Sequence, residues 1–255
     1  MQKSNICFFN TTKTWGGGEK WHSEMALKLH SKGYNVLVVT QHSSALFKKV
    51  DAQGVRSISV KLTNFSFVNP VRILQLVKLF KKNSVDTLVL NLPNDLKAAG
   101  LAARIAGVKH IIYRRGSAIA VRNNFVNRFY YGKVIHSVLA NSRATAEKIL
   151  EKNPDLISKN KIHIVYNGLD IKAFDSIEAK PQRFGDENDI IIGNVGRLVK
   201  QKAQEYFIDL AVILKKENIA FKIVIGGEGE RKQQLQEYAK AKNVEDKIIW
   251  QGFVD

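Results

Sequence analysis

The feature that most constrains this chain is alternation. Short apolar runs recur along its 255 residues, and segments with a helical apolar period stand between them. Residues 6–9, 36–40, 56–60, 87–91, 110–113, 137–140 and 161–166 read as strands, followed by a second series at 190–195, 221–225 and 247–250. Segments 19–31, 70–82, 96–105, 143–152, 204–216 and 231–242 read as helices. In 70–82, Val71, Ile73, Leu74, Leu76, Val77 and Phe80 supply the apolar face. Gly33 and Pro70 punctuate the pattern as a helix end and a helix start. Strand and helix alternating over short connections require parallel sheets covered on both faces.

Seven strands followed by three more exceed one doubly wound sheet. The non-periodic segment 171–188, with Pro181 and Gly185, therefore reads as a linker. The expectation is an α/β chain with a complete Rossmann-like domain over 1–170. The start of a second one, at 189–255, is incomplete, since such a sheet usually has about six strands.

Composition narrows the class. With 45% hydrophobic and 25% charged residues the chain is globular rather than disordered. No uninterrupted apolar run approaches the ~18 residues of a spanning helix. Cys7 is the one cysteine, so an internal disulfide and a thiolate zinc site are excluded and a reducing compartment is expected. The six histidines show no metal-ligand spacing, and no metal is implied.

Charge is unevenly placed. Residues 1–185 hold 29 basic and 11 acidic side chains, whereas 186–255 hold 11 and 12. No acid occurs between Asp95 and Glu147, a stretch with nine bases. A polyanionic partner follows: a phosphorylated substrate, an anionic membrane or nucleic acid.

Three glycine-rich stretches stand at strand-to-helix junctions. Trp15-Gly16-Gly17-Gly18-Glu19 follows the first strand. Its backbone N–H groups and helix start suit an anion, yet neither the dinucleotide fingerprint nor a P-loop spacing fits. Gly193-Asn194-Val195-Gly196-Arg197 through Lys202 ends the first strand of the second series, where ligands bind in such sheets. Gly226-Gly227-Glu228-Gly229-Glu230-Arg231 follows the next strand. Each alone also reads as a tight turn or a solvated charge.

In this order, and with Asn167-Gly168-Leu169-Asp170 between them, the stretches resemble the family 4 glycosyltransferases of the GT-B fold. These are retaining enzymes that use nucleotide-diphosphate sugars as co-substrates, with no further cofactor. The resemblance implies two Rossmann-like domains facing a cleft, the first holding the acceptor and the second the donor. It assigns Arg197 and Lys202 to the donor diphosphate and Gly227 and Gly229 to the donor nucleotide. Gly16, Gly17 and Gly18 line the opposite wall and complete the donor-binding set.

Departures accompany it. The family's paired glutamates would lie beyond residue 255, so a truncated donor domain is expected. Ala203 stands where glycine is usual. Tyr113-Arg114-Arg115-Gly116 replaces a stretch that carries histidine in many members, and Arg115 is then expected to grip an anionic acceptor. Asp95, after the fourth strand, is the candidate catalytic acid; its other reading is a helix N-cap.

Arg114, Arg115, Arg122, Arg128 and Lys133 form the expected acceptor or membrane patch. They are interleaved with Phe125, Phe129, Tyr130 and Tyr131, which face either outward toward lipid or inward as core. The expected function is sugar transfer to a glycan or lipid-linked acceptor in cell-surface polysaccharide or lipopolysaccharide synthesis. The expected place is the cytoplasm, at the inner face of the membrane. An inactive truncated remnant and a basic nucleic-acid binder are the alternatives, the latter disfavoured because no nucleic-acid module appears.

Overall fold

Seven parallel strands pair in the order β3-β2-β1-β4-β5-β6-β7. They are β1 (Asn5–Asn10), β2 (Asn35–Thr40), β3 (Arg56–Ser59), β4 (Thr87–Leu90), β5 (His110–Arg115), β6 (Ser137–Ala140) and β7 (Ile162–Ile164). The computed structural model describes residues 4–63, 65–178 and 182–254. Contacts divide the chain into two units, Met1–Asp170 and Ile171–Asp255.

Alternation along each strand builds two cores on the first sheet. Phe8, Val36, Val38 and Val89 face α1 (Gly17–Ser31) and α2 (Ala45–Asp51), whose Ala26, Leu46 and Val50 cover them. Cys7, Phe9, Leu37, Val39, Leu88 and Leu90 face the opposite layer. That layer holds α3 (Pro70–Lys82), α4 (Pro93–Asp95), α5 (Leu101–Ala106), α6 (Phe125–Phe129) and α7 (Arg143–Leu150). Pro70 is at the first helical position of α3, and Asn69 caps it by accepting from the N–H groups of Val71 and Arg72. Only Ile73, Leu76, Val77 and Phe80 of α3 are buried; Val71 and Leu74, expected on the apolar face, point to solvent.

Two π-helical turns have no counterpart in the sequence reading. Leu96–Gly100 joins α4 to α5, and Tyr130–Val134 extends α6. They pack together. A Cβ at Gly100 would lie 3.0 Å from Leu96 Cδ1 and 3.4 Å from Val134 Cγ1, so only glycine fits comfortably there. The Tyr130 hydroxyl donates to the Lys97 carbonyl at 2.8 Å, satisfying a group in the first π turn.

In the second unit, β8 (Ile190–Val195), β9 (Phe221–Gly226) and β10 (Ile248–Gly252) are parallel in the order β10-β9-β8. The segment 171–188 is not irregular throughout, since α8 (Ile171–Asp175) opens it; Pro181 lies outside the described residues. α9 (Glu205–Lys216) and α10 (Lys232–Ala241) bury Ile208, Ala211, Leu235 and Ala239 against Phe221, Ile223 and Ile225. Among the described residues, no helix is long and apolar enough to cross a membrane.

Candidate functional site

The strand order of the first sheet reverses between β1 and β4, and in open parallel sheets ligands bind at the carboxyl edge of such a switch point. Here that edge holds a buried polar cluster. Asn10 ends β1 and Thr11 follows it, the half-buried Asn91 follows β4, Arg114 lies near the end of β5, and Glu19 is in the first turn of α1.

Each member is held by another. Asn10 Nδ2 donates to Glu19 Oε1 at 2.9 Å. The N–H of Thr11 donates to Asp95 Oδ2 at 2.9 Å and its hydroxyl to Asp95 Oδ1 at 2.5 Å. Arg114 donates to Asn91 Oδ1 at 2.9 Å and to Asn167 Oδ1 at 3.2 Å, with its guanidinium 4.5 Å from the centre of the Trp21 ring.

Asp95 precedes the Leu96–Gly100 π turn but makes no side-chain capping bond to it. Leu92 is at the N-cap position and contributes no side-chain bond, whereas Asp95 ends α4 with its carboxyl fully buried. Burial pushes its pKa up to about 7, against the two Thr11 bonds, and the charge of Glu19 adds to the rise. The carboxyl therefore fixes the loop after β1 and is not open to solvent.

The Gly16–Gly18 loop has unequal needs. Gly16 is the N-cap of α1 without a side-chain bond. Gly17 has open space where a Cβ would be, but a Cβ on Gly18 would stand 2.3 Å from Asn91 Nδ2. Gly18 thus admits the amide that orients Arg114.

Of the expected basic patch, Arg114 departs from the surface: it is only 4% exposed. Burial lowers its pKa, with Glu19 opposing. Among the described residues no carboxylate pairs with it. Arg115 is half-buried and donates to the Tyr131 hydroxyl and the Ile119 carbonyl, so it braces a loop. Arg122, Arg128 and Lys133 are exposed. The aromatics split: Phe125 and Phe129 point outward, Tyr130 and Tyr131 inward. His22, buried with neither ring nitrogen bonded, is driven down to about 3 by burial and then by Arg114. It is a neutral ring, edge-on to Phe8 at 5.5 Å.

In the second unit, Arg197 and Lys202 flank the loop between β8 and α9. Both are exposed and neither makes an ion pair among the described residues. The Lys202 stem passes Gly196, where a Cβ would sit 3.7 Å from Lys202 Cδ. Buried Gln204 donates to the Arg197 carbonyl at 3.1 Å and fixes the loop. Gly227 and Gly229 are set by backbone approach. A Cβ on the first would be 2.0 Å from the Gly196 carbonyl oxygen, and on the second 2.3 Å from that of Leu198. The Leu198 N–H donates to the Glu228 carbonyl at 3.0 Å, locking the two loops together. Ala203 adopts a left-handed conformation with φ of 51°, which accounts for glycine being usual there.

Sequence reasoning missed Asn10, Thr11 and Asn91. Their signal is a polar residue at the carboxyl end of an apolar strand. A cavity of about 380 Å³ lined by Asn5, His30, Tyr34 and Arg56 is away from this cluster and holds none of its residues.

Comparison with known proteins places these features in context. Residues 15–173 match the Glycosyltransferase Family 4 domain, and residues 175–255 match Glycosyl transferases group 1. The chain is 30% identical over 202 residues to N-acetylgalactosamine-N,N'-diacetylbacillosaminyl-diphospho-undecaprenol 4-alpha-N-acetylgalactosaminyltransferase of Campylobacter jejuni, covering 72% of this chain and 51% of that protein. It is 26% identical over 164 residues to the putative glycosyltransferase EpsF of Bacillus subtilis, covering 60% and 42%. The chain thus spans about half the length of the curated relatives it matches. Among solved structures, Anabaena HepE in complex with UDP-glucose superposes with a TM-score of 0.80 at 18% identity, over 98% of this chain and 69% of that one. A Rickettsia africae glycosyltransferase does so with a TM-score of 0.75 at 18% identity, over 100% and 69%.

Proposed function

Because the chain belongs to the family 4 glycosyltransferases of the GT-B fold, we propose that it serves sugar transfer from a nucleoside-diphosphate sugar to a glycan or lipid-linked acceptor, with retention. The cell-surface polysaccharide or lipopolysaccharide setting draws support from the Campylobacter relative, whose name contains a diphospho-undecaprenol acceptor. We place the reaction at the cytoplasmic face of a membrane.

The observation that carries the reading is the exposed Arg197 and Lys202 in the loop after β8, neither in an ion pair among the described residues. Departure of a nucleoside diphosphate leaves negative charge on the β-phosphate. Fixed cations at that point stabilise the transition state more than the ground state. A guanidinium forks onto two oxygens and an ammonium adds a point charge. Gly227 and Gly229 act by shaping the loop beside this pair, and Gly16–Gly18 by admitting Asn91 and opening the start of α1. Asp95 is a positioning residue, holding Thr11 at the switch point. Arg114 and Arg115 both have neutral partners only; Arg114, buried on Asn91 and Asn167, orders this sheet edge, and the half-buried Arg115 is the one left to meet an acceptor phosphate.

Calorimetric titration with UDP tests the assignment. Arg197→Ala and Lys202→Ala should each weaken binding by about 1.5–3 kcal/mol, the worth of a charge-assisted bond. Unchanged affinity in both variants rejects it.

A further inference from the structure

The amino edge of the first sheet carries a second group of polar side chains, at the opposite end of β5 from Arg114 and Arg115. His110 starts β5, His136 stands one residue before β6, and Lys161 one residue before β7. The register sets them side by side. Ile112 pairs with Ser137 and Val138 with Ile162, so His136 adjoins Ile111 and Lys161 adjoins Ser137. Arg104, in the last turn of α5, joins them by reaching the His136 ring.

His136 has a fixed, half-buried ring. Its backbone N–H donates to the Ile111 carbonyl at 2.8 Å, and the Ile111 N–H donates back to His136 Nδ1 at 3.0 Å. Nδ1 is therefore an acceptor without a proton, and the proton of the neutral ring is on Nε2. Arg104 Nη1 is 3.2 Å from that Nε2. A guanidinium nitrogen only donates, so two N–H groups confront each other with no acceptor between them. Protonating Nδ1 gives no relief, since it breaks the Ile111 bond and adds a third cation beside Arg104 and Lys161. Burial lowers the His136 pKa, and Arg104, His110 and Lys161 then lower it further, which keeps the ring neutral. Among the described residues neither Arg104 nor Lys161 is in an ion pair. Asp86, a carboxylate that interacts with His110, is taken up by Lys109 at 3.3 Å and by the Asn5 N–H at 3.1 Å.

We propose that Arg104, His136 and Lys161 bind the phosphate group of a small soluble phosphomonoester at this edge. One oxygen about 2.8–2.9 Å from each nitrogen accepts from Arg104 Nη1 and His136 Nε2 together, which turns a contact between donors into a chelate. Lys161 adds a point charge for a second oxygen, and exposed His110 borders the site. Two permanent cations match a phosphate dianion, whereas a carboxylate leaves one of them unmatched. Because the neutral ring donates from Nε2, binding does not require His136 to be protonated. The site is at the far edge of the sheet from the candidate functional site and does not depend on the sugar-transfer reading.

Nitrogen-15 NMR of the histidine rings in the full chain tests it, with inorganic phosphate as the probe at pH 8 and constant ionic strength. The His136 signal is assigned by its loss in His136→Gln. It should show the Nε2–H tautomer before phosphate is added, and its Nε2 resonance should then shift saturably. Arg104→Gln should weaken phosphate binding at that resonance by about tenfold or more, the worth of one charge-assisted bond, and Lys161→Gln should weaken it by about threefold or more. Arg128→Gln, at an exposed base on α6, should leave it unchanged. Amide spectra check that each variant folds. Because the signal is that of His136 itself, phosphate held at Arg197 and Lys202 does not enter the result. An Nδ1–H tautomer, the same affinity in wild type and Arg104→Gln, or a non-saturating shift that chloride reproduces would each overturn the proposal. Acetate binding as tightly as phosphate overturns the phosphomonoester and assigns the site to carboxylates.

Discussion

Asp95→Asn should remove from the first unit a stability contribution that falls as pH rises. The carboxyl has an ordinary value of 3.8 and is raised by burial to about 7 in the folded protein. Between those values the native state keeps a proton that the unfolded chain has released. Stability from this group is therefore lost as pH rises through that window, and levels off above pH 7. At about 1.4 kcal/mol per pH unit the full effect is on the order of 4 kcal/mol, and about 2.5–3 kcal/mol of it falls between pH 5 and pH 8. Asparagine has no proton to lose. Its carbonyl accepts from the Thr11 N–H, and its amide donates to the Thr11 hydroxyl after that hydroxyl turns. His22, held down from 6.5 to about 3 in the folded protein, contributes the opposite dependence, stability that rises with pH up to about 6.5, and because it is common to both proteins the difference between them isolates Asp95. Urea unfolding at pH 5 and pH 8 in a Trp250→Phe background measures it, because Trp15 and Trp21 then report the first unit alone. The wild type should lose stability relative to D95N on going to pH 8. Parallel pH dependence in the two proteins refutes the buried-carboxyl argument.

Three substitutions probe the loops. Gly18→Ala puts a Cβ against Asn91 and should cost about 1–3 kcal/mol in the melting of the first unit, since Asn91 must release Arg114. Gly227→Ala meets the Gly196 carbonyl and a φ of +134°, so the second unit should lose its cooperative transition in calorimetry. Ala203→Gly should raise stability by up to about 1 kcal/mol, because relief of a left-handed alanine exceeds the added chain entropy of glycine. A lower melting temperature in that variant contradicts the strain assigned to Ala203.

Much of the fold is legible in the chain because both faces of a parallel sheet are covered. Strands such as 36–40 then read as continuous apolar runs, and Asn69-Pro70 marks a helix start unaided. The π turns at Leu96–Gly100 and Tyr130–Val134 are not, since one wider turn leaves the local composition helical. α2 is a seven-residue helix, too short to show a period, although Ser44 caps it. For the site, the motifs identify the glycines and Arg197, but their work is settled by distant partners. Asp95 meets Thr11 across 84 residues, and Arg114 meets Asn167 across 53. Arg114 reads as surface because an isolated charge usually is, whereas β5 turns it inward onto Trp21 and two amides. Gly227 and Gly229 read as donor contacts, yet the nearest atoms to a Cβ there belong to the neighbouring loop.

Arg197 and Lys202 are proposed to hold the diphosphate of a nucleotide sugar. Equilibrium titrations with UDP and UMP test it most directly, since the two ligands differ by the phosphate in question. UDP should bind at least about tenfold more tightly to the wild-type chain, the worth of one charge-assisted bond, and this preference should collapse in R197A/K202A. Equal affinities for UDP and UMP in the wild type, or a preference that survives in the double variant, would contradict it.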